Sequence, residues 1–527
     1  MYDAVVVGAG PNGLVAANLL ADAGWSVLVL EAQDTPGGAV RSANVVHPEF
    51  TSDLFSAFYP LAAASPVLRA LQLERYGLAW RHAPAVLAHP LPDGRCVLLD
   101  RDPARTAANL EEFAAGDGDA WLLLYAQWRR VSDQLLSALF SPFPPVRAGL
   151  RLAGAAGLPG ALRLARQALE PVTRTGQRWF AGAGGRLLLT GNALHSDLAA
   201  NEPGSGLFGW MLAMLGQQYG FPVPAGGAGR LTDALVARLR ERGGELRCGQ
   251  QVTRVLLDRA GRAAGVRCAD STVVRTRHAV LADVPAPQLY GRLLEPDQLP
   301  AGLLADLAAF EWDRPVLKVN WALGAPVPWL AEAAGRAGTV HLVGGEHELA
   351  RYGSDLSAGR LPARPLLLLG QMTTADPARS PAGTESAWAY THLPHRDHSP
   401  AELAEHAALV EQSVQRYAPG FTDRILARQI QYPDGLAIGA AHLAGGSVNG
   451  GTARLHQQLF LRPTPGLGRA ETVVERLYLA SSAAHPGGGV HGACGANAAR
   501  AALLRRGLPG RIAATALHRT ARRIAGG

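Results

Sequence analysis

Residues 1–42 constrain this chain more than any other stretch. Ala4 and the run Val5-Val6-Val7 form a short apolar strand that leads straight into Gly8-Ala9-Gly10-Pro11-Asn12-Gly13. A helical pattern runs from Leu14 to Ala23, and a second strand, Ser26 to Leu30, ends at Glu31. Strand, G-x-G-x-x-G turn, helix, strand and acid in this order make a dinucleotide-binding α/β unit. Gly8 allows the tight turn, Gly10 lets the backbone approach a pyrophosphate, and Gly13 lets the helix pack close to the sheet. The start of the helix offers free N–H groups and a positive dipole end to an anion. Glu31 stands at the spacing of a carboxylate that takes a ribose hydroxyl. Glycine spacing alone carries much less: Gly204-Ser205-Gly206-Leu207-Phe208-Gly209 also fits it. That copy follows Asn201-Glu202-Pro203, no acid closes a unit behind it, and it reads as a loop or helix start.

At 527 residues the chain has room for two or three domains with substantial cores. Its net charge is +7, yet Lys318 is its single lysine. With abundant Ala, Gly and Pro, this points to a GC-rich bacterial genome and weakens the basic charge as a sign of nucleic-acid binding. No zinc-finger or RNA-binding signature accompanies that charge, so nucleic acid is not an expected partner. Cys96, Cys248, Cys268 and Cys494 lie far apart and form no C-x-x-C pair, so neither a dithiol centre nor a metal site is indicated. Tyr2-Asp3 runs directly into the first strand, leaving no room for a signal peptide, and no apolar run reaches the length of a membrane span. The expected setting is reducing and cytoplasmic, with a peripheral membrane contact as an added possibility.

Further along, Asp93-Gly94-Arg95 is a turn between two short strands, and Asp102 to Phe140 reads as helical, with Trp121, Leu124 and Trp128 on one face. After the break Ser141–Pro145, Val146 to Leu169 carries Arg147, Arg151, Arg163 and Arg166 with no acid before Glu170. This basic amphipathic segment has two readings: contact with a membrane from which a lipophilic substrate enters, or an ordinary surface helix. A helix follows from Arg230 to Arg242. Short strands at Val252–Leu257, Ala264–Arg267, Thr272–Val274 and Ala279–Ala282 then read as a meander. Val316–Leu323, Leu366–Leu369 and Ala387–Thr391 are strands, and Glu402–Tyr417 is a helix. Near the end come a strand, Arg476–Ala480, a glycine loop, Ser481–Gly489, and Val490-His491-Gly492-Ala493-Cys494-Gly495 leading into a helix. That second helix N-terminus suits a group on which negative charge develops. The tail from Arg505 to Arg523 lacks acids and reads as a membrane contact, a subunit contact or a solvated helix.

With both ends in hand, the chain resembles the phytoene desaturase-like FAD-dependent oxidoreductases, and within them the pyridine nucleotide-disulfide oxidoreductase domain-containing proteins. The matching stretches are Gly8–Leu14, Pro36–Ser42, Pro224–Leu235, Pro326–Gly344, Arg360–Pro365, His442–Asn449 and Leu477–Ala499. The resemblance implies an α/β fold: a two-dinucleotide-binding, glutathione reductase-like FAD domain with an inserted α+β substrate domain. The FAD domain would comprise residues 1–75, 223–300 and 436–527, and the substrate domain 76–222 and 301–435. Its FAD would be held by Gly8, Gly10, Pro11, Asn12, Gly13, Glu31, Ala32, Gly37, Gly38, Arg41, Val252, Ser482, Gly488, Gly489, Val490 and Gly492. Ser481-Ser482 replaces the acid that many flavin oxidases place after this strand, leaving phosphate contacts to hydroxyl or backbone groups. The implied reaction moves hydride from a hydrophobic small molecule, carotenoid- or lipid-like, to flavin N5, with oxygen or a quinone as electron acceptor. The cofactor supplies that chemistry and the protein positions it. Lys318, His485 and His491 are the candidate catalytic groups. Lys318 matches the lysine that amine oxidases hold near N5, or is a strand lysine facing solvent; each histidine is a proton acceptor or a loop residue bonded to backbone. The alternatives are an amine or amide oxidase forming C=N, and a weakly catalytic flavoprotein acting through protein partners.

Overall fold

A computed structural model describes residues 1–439, 444–505 and 508–526. His442, at the head of one matching stretch, and Arg506 and Gly507 of the basic tail lie outside the described residues. Two seven-stranded sheets organise the chain.

The first sheet grows from the opening motif. Tyr2–Val7 is flanked in parallel by Val27–Leu30 and by the second half of Val273–Ala282. Glu245–Arg247 extends it on one side and Leu477–Leu479 on the other, both parallel. Strands covered on both faces read as unbroken apolar runs, and Ala4–Val7 and Val27–Leu30 are fully buried. The expected pair Thr272–Val274 and Ala279–Ala282 is one continuous strand, Val273–Ala282. Its first half, with Arg275 and Arg277 exposed, pairs antiparallel with Ala263–Cys268, which pairs in turn with Val252–Leu257. One strand thus serves two neighbourhoods, and its polar middle concealed that from the sequence. The helix Pro11–Asp22 crosses this sheet and meets Gly229–Glu241 and Ala493–Leu504.

The second sheet runs Ile425–Gln431, Val316–Leu323, Glu385–His392, Leu367–Gln371, Ala337–Leu342, Ala85–Pro90 and Cys96–Leu99. It is antiparallel except where Ala337–Leu342 runs parallel to Ala85–Pro90. Helices Asp117–Leu139, Val146–Leu169, Ala183–Ala193 and Ser205–Tyr219 pack together on its flank. The span expected as one helix, 102–140, is two, Pro103–Glu111 and Asp117–Leu139. Gly116, at φ +87°, breaks it, and a Cβ on Gly118 would fall 2.7 Å from the Ala107 carbonyl oxygen. The second G-x-G-x-x-G copy is a helix start, with Gly204 the cap of Ser205–Tyr219. Among the described residues, no helix is long and apolar enough to cross a membrane.

Candidate active site

The glycine turn is packed too closely for side chains. A Cβ on Gly8, at φ +97°, would lie 2.7 Å from the Asp283 carbonyl oxygen, and one on Gly13 would lie 2.2 Å from the Gly8 carbonyl oxygen. The helix that follows starts at Gly10; Pro11 has no N–H and the Gly13 amide is taken by Asp283, which leaves the Asn12 amide for a ligand. Ala493–Leu504 starts at Gly492, with its first amide, that of Ala493, taken by His491 Nδ1. A Cβ on Gly495 would sit 1.9 Å from the Asn12 carbonyl oxygen. The two ends of the chain therefore form one site, with the first turns of two helices in backbone contact.

Several of the other cofactor candidates are tied to this turn by hydrogen bonds. Glu31 is buried; its Oε2 accepts the Ala9 amide at 2.7 Å and its Oε1 accepts that of Gln33 at 2.9 Å. Ala32 beside it is exposed. The Gln250 amide donates to the Glu31 carbonyl at 2.8 Å, so the strand beginning at Val252 starts next to the acid. The Gly37 amide donates to the Ala9 carbonyl, and Arg41 Nε donates to the Gly38 carbonyl at 3.0 Å. The Ser482 carbonyl accepts Nε and Nη2 of buried Arg462, and Gly488 and Gly489 line the adjoining loop, with partly buried Val490 behind them. Asn12 Oδ1 is buried without a hydrogen-bond partner among the described residues. A steric cradle, two helix starts in backbone contact and a buried orphan acceptor fit a dinucleotide.

Asp283 belongs to this site and sequence reasoning missed it. It follows the buried run Ala279–Ala282, and its Oδ2 accepts the Gly13 amide at 2.7 Å. Burial pushes its carboxyl up to about 7. An acid directly after a fully apolar strand that pairs with the motif strand was the signal available.

The two candidate histidines differ in their surroundings. His491 Nδ1 accepts the Ala493 amide at 3.0 Å, which leaves Nε2–H to donate to the Gly487 carbonyl at 3.2 Å. Both nitrogens are thus engaged by the loop backbone, and burial pulls the imidazole down to about 4. Phe140 lies against it, ring centroids 5.0 Å apart. His485 Nε2 has no partner among the described residues; burial, then the charge of Arg462, pull this ring down to about 4 as well.

Lys318 lies on the second sheet, in a strand buried along its whole length between two neighbours. The solvent-facing reading fails: the side chain is 4% exposed. Its Nζ donates to the Asp53 carbonyl at 2.5 Å and lies 5.5 Å from the Trp388 ring centre. Burial pulls the ammonium down to about 7, against the charge of Asp53, which raises it. Asp53 is a hub that the sequence did not reveal. Its Oδ1 accepts from Ser42 Oγ, the Ala228 amide and Arg379 Nη1, at 2.7, 2.8 and 3.0 Å. Arg379 is fully buried and also pairs with Asp376, which accepts the Gly226 amide. The network joins the cradle segments at Ser42 and Gly226–Ala228 to the strand that carries Lys318. Trp388, Tyr390 and His392 alternate along the neighbouring strand, so they share one face. Trp388 and Tyr390 stack with ring centroids 6.0 Å apart, and Phe58 adds to the row.

Comparison with known proteins decides the family. A family model described as flavin containing amine oxidoreductase matches residues 12–387. The chain belongs to this family. It is an FAD-dependent oxidoreductase, as its sequence relatives also indicate. It is 29% identical to mouse pyridine nucleotide-disulfide oxidoreductase domain-containing protein 2, over 94% of this chain and 92% of the relative. It is 25% identical to the lycopene-forming phytoene desaturase of Pseudescherichia vulneris, over 96% and 99%. Its mixed α/β fold is similar to that of putrescine oxidase solved with putrescine bound: TM-score 0.60, 18% identity, covering 95% of this chain and 98% of that one.

Proposed function

We propose that this flavoenzyme dehydrogenates an uncharged, hydrophobic small molecule of carotenoid or lipid type. The observation that carries the reading is the pairing of buried Lys318 with the aromatic row at Trp388 and Tyr390. Aromatic faces suit an extended apolar or conjugated ligand, and a lysine brought to about 7 by burial serves proton transfer at the edge of such a site. Of the carboxylates whose charge acts on Lys318 and Tyr390, Asp53 is engaged by Arg379. Asp313 accepts the amides of Val448, Asn449 and Gly451.

In this reading the parallel sheet with its glycine turns is a glutathione reductase-like FAD domain, from residues 1–75, 223–300 and 436–527, and the rest is the substrate domain. Amides at the starts of the helices Pro11–Asp22 and Ala493–Leu504 would hold the pyrophosphate and the pyrimidine end, and Glu31 would hold the ribose. The bound flavin supplies the hydride acceptor. Lys318 stores or passes a proton at Nζ, fixed in direction by the Asp53 carbonyl. The aromatic row excludes water and aligns the substrate. His491 orders the loop, and His485, neutral with a free nitrogen, remains the candidate proton acceptor. Oxygen or a quinone takes the electrons.

The family match favours a second reading, amine oxidation to C=N. Anaerobic titration of the holoenzyme with panels of polyenes, fatty-acyl compounds and amines separates the two. Bleaching of the flavin band by apolar C–H donors, with C=C products, is expected. Bleaching by amines alone, with peroxide on readmitting air, would overturn it. A flavin that nothing bleaches would instead favour action through protein partners.

A further inference from the structure

The helix from Val146 to Leu169 is left with an apolar face that no part of the described chain covers. Val146, Leu150, Leu158, Leu162 and Leu169 are 62–75% exposed. Single exposed leucines are ordinary, but a contiguous row marks an interaction surface. Arg147, Arg151 and Arg163 stand exposed beside that row, and no carboxylate pairs with them among the described residues. Gly157 adopts φ +65°, ψ +165°, so the segment is two half-helices meeting at a kink, with Pro159 in the first turn of the second. Each half spans roughly 17 Å, well short of the ~30 Å hydrocarbon core of a bilayer. Such a segment lies along a surface and does not cross it.

The patch continues onto a second segment. Phe460 is 52% exposed, with Leu455 and Leu459 nearby and also exposed. Phe143, just before the kinked helix, packs against Phe460 with ring centroids 5.8 Å apart. At the far end, Gly204 is bordered by both the Leu455 side chain and the Ala168 carbonyl. The loop thus reaches the residues at both ends of the helix pair. The same corner reaches the cofactor loop through Phe143 on His485 and Phe140 on His491.

We infer that this face, formed by Val146–Leu169 and Leu455–Phe460, docks the enzyme on an anionic lipid bilayer. Leucines enter the acyl boundary while arginines meet the headgroup charge. Charge complementarity selects this occupant over a second copy, because a two-fold contact would bring the same basic rows together.

Flotation of the holoenzyme tests this, with vesicles of phosphatidylglycerol and phosphatidylcholine against phosphatidylcholine alone, at low and high salt. Wild type should float with the anionic vesicles and be partly released by salt. L150E/L158E/L162E and R147E/R151E/R163E should each cut the bound fraction at least ~10-fold. Because these side chains are exposed, flavin absorbance and melting temperature should not change. Wild type that ignores anionic vesicles would overturn the inference, as would variants that float like wild type. If wild type instead self-associates and L150E/L158E/L162E abolishes that, the face is a protein interface. None of these readouts depends on which substrate the flavin oxidises.

Discussion

The glycine cradle and the aromatic row beside Lys318 are built by different means. In the cradle backbone dominates: glycines bring carbonyls and amides within reach, and side chains mostly brace the turns. In the aromatic row side chains dominate, carried by neighbouring strands far apart in sequence. Each region buries an ionisable group shifted to about 7, Asp283 in the cradle and Lys318 beside the aromatic row. Burial favours the neutral form of both, so their effects on stability run in opposite directions with pH. A backbone site fails through shape, whereas a side-chain site fails through charge.

Shape should give the largest effect. Gly495→Ala places a methyl group 1.9 Å from the Asn12 carbonyl oxygen, where both partners are backbone and cannot yield. Overpacking of this kind costs roughly 3 kcal/mol or more, about 100-fold in FAD affinity if the strain falls on the holo state. Gly291→Ala is the control, since nothing lies within 4 Å of its Cβ position. The ratio of flavin to protein absorbance reads the outcome, with circular dichroism to show folding. Full flavin occupancy in Gly495→Ala would break the claim that the two chain ends make one rigid cradle.

Charge should give the next effect. Lys318→Met should keep FAD but slow substrate-driven flavin reduction by on the order of 100-fold, the low end for loss of a proton-transfer group. Lys318 binds a proton less readily in the folded protein, at about 7, than at its ordinary value of 10.5. The unfolded chain therefore holds the extra proton between these values, and wild-type stability rises with pH from about 7 toward 10. Lys318→Met should lack that rise, gaining most over wild type below pH 7. Asp283 works the other way: its raised carboxyl removes stability as pH climbs from about 4 to 7, and Asp283→Asn should flatten that fall. Chemical denaturation across pH 4–10 separates the two groups.

Asp53→Asn tests the link between the regions. It leaves buried Arg379 with Asp376 as its remaining acid and costs about 3 kcal/mol of stability, the usual penalty for breaking a buried pair. It also removes the negative charge that raises Lys318, so any rate inflection owed to the lysine should move to lower pH. A melting loss with no movement of the inflection would restrict Asp53 to a structural role.

What the sequence revealed follows the same division. The cradle was legible because glycine spacing, an acid and a helix start lie within one short stretch. Lys318 was legible because a chain that otherwise uses arginine keeps a single lysine. Asp53 and Arg379 were not, since they meet across 326 positions and neither carries a local pattern. The breaks at Gly116 and Gly157 were passed over because helical periodicity continues on both sides of each. The substrate was not legible, because the aromatic row lies on strands whose register no motif encodes.

The smallest effect concerns the histidine that looked most like a catalyst. His491 uses Nδ1 to accept from Ala493 and Nε2–H to donate to Gly487, so a change of protonation would break the loop's own bonds. His491→Asn keeps an acceptor near the Nδ1 position and drops the donor, losing one hydrogen bond worth about 1 kcal/mol. FAD affinity should fall about 5-fold, as that energy converts, and the pH profile of flavin reduction should keep its shape. If an inflection disappears from that profile, His491 exchanges protons with the substrate, and the cradle is not a purely backbone device.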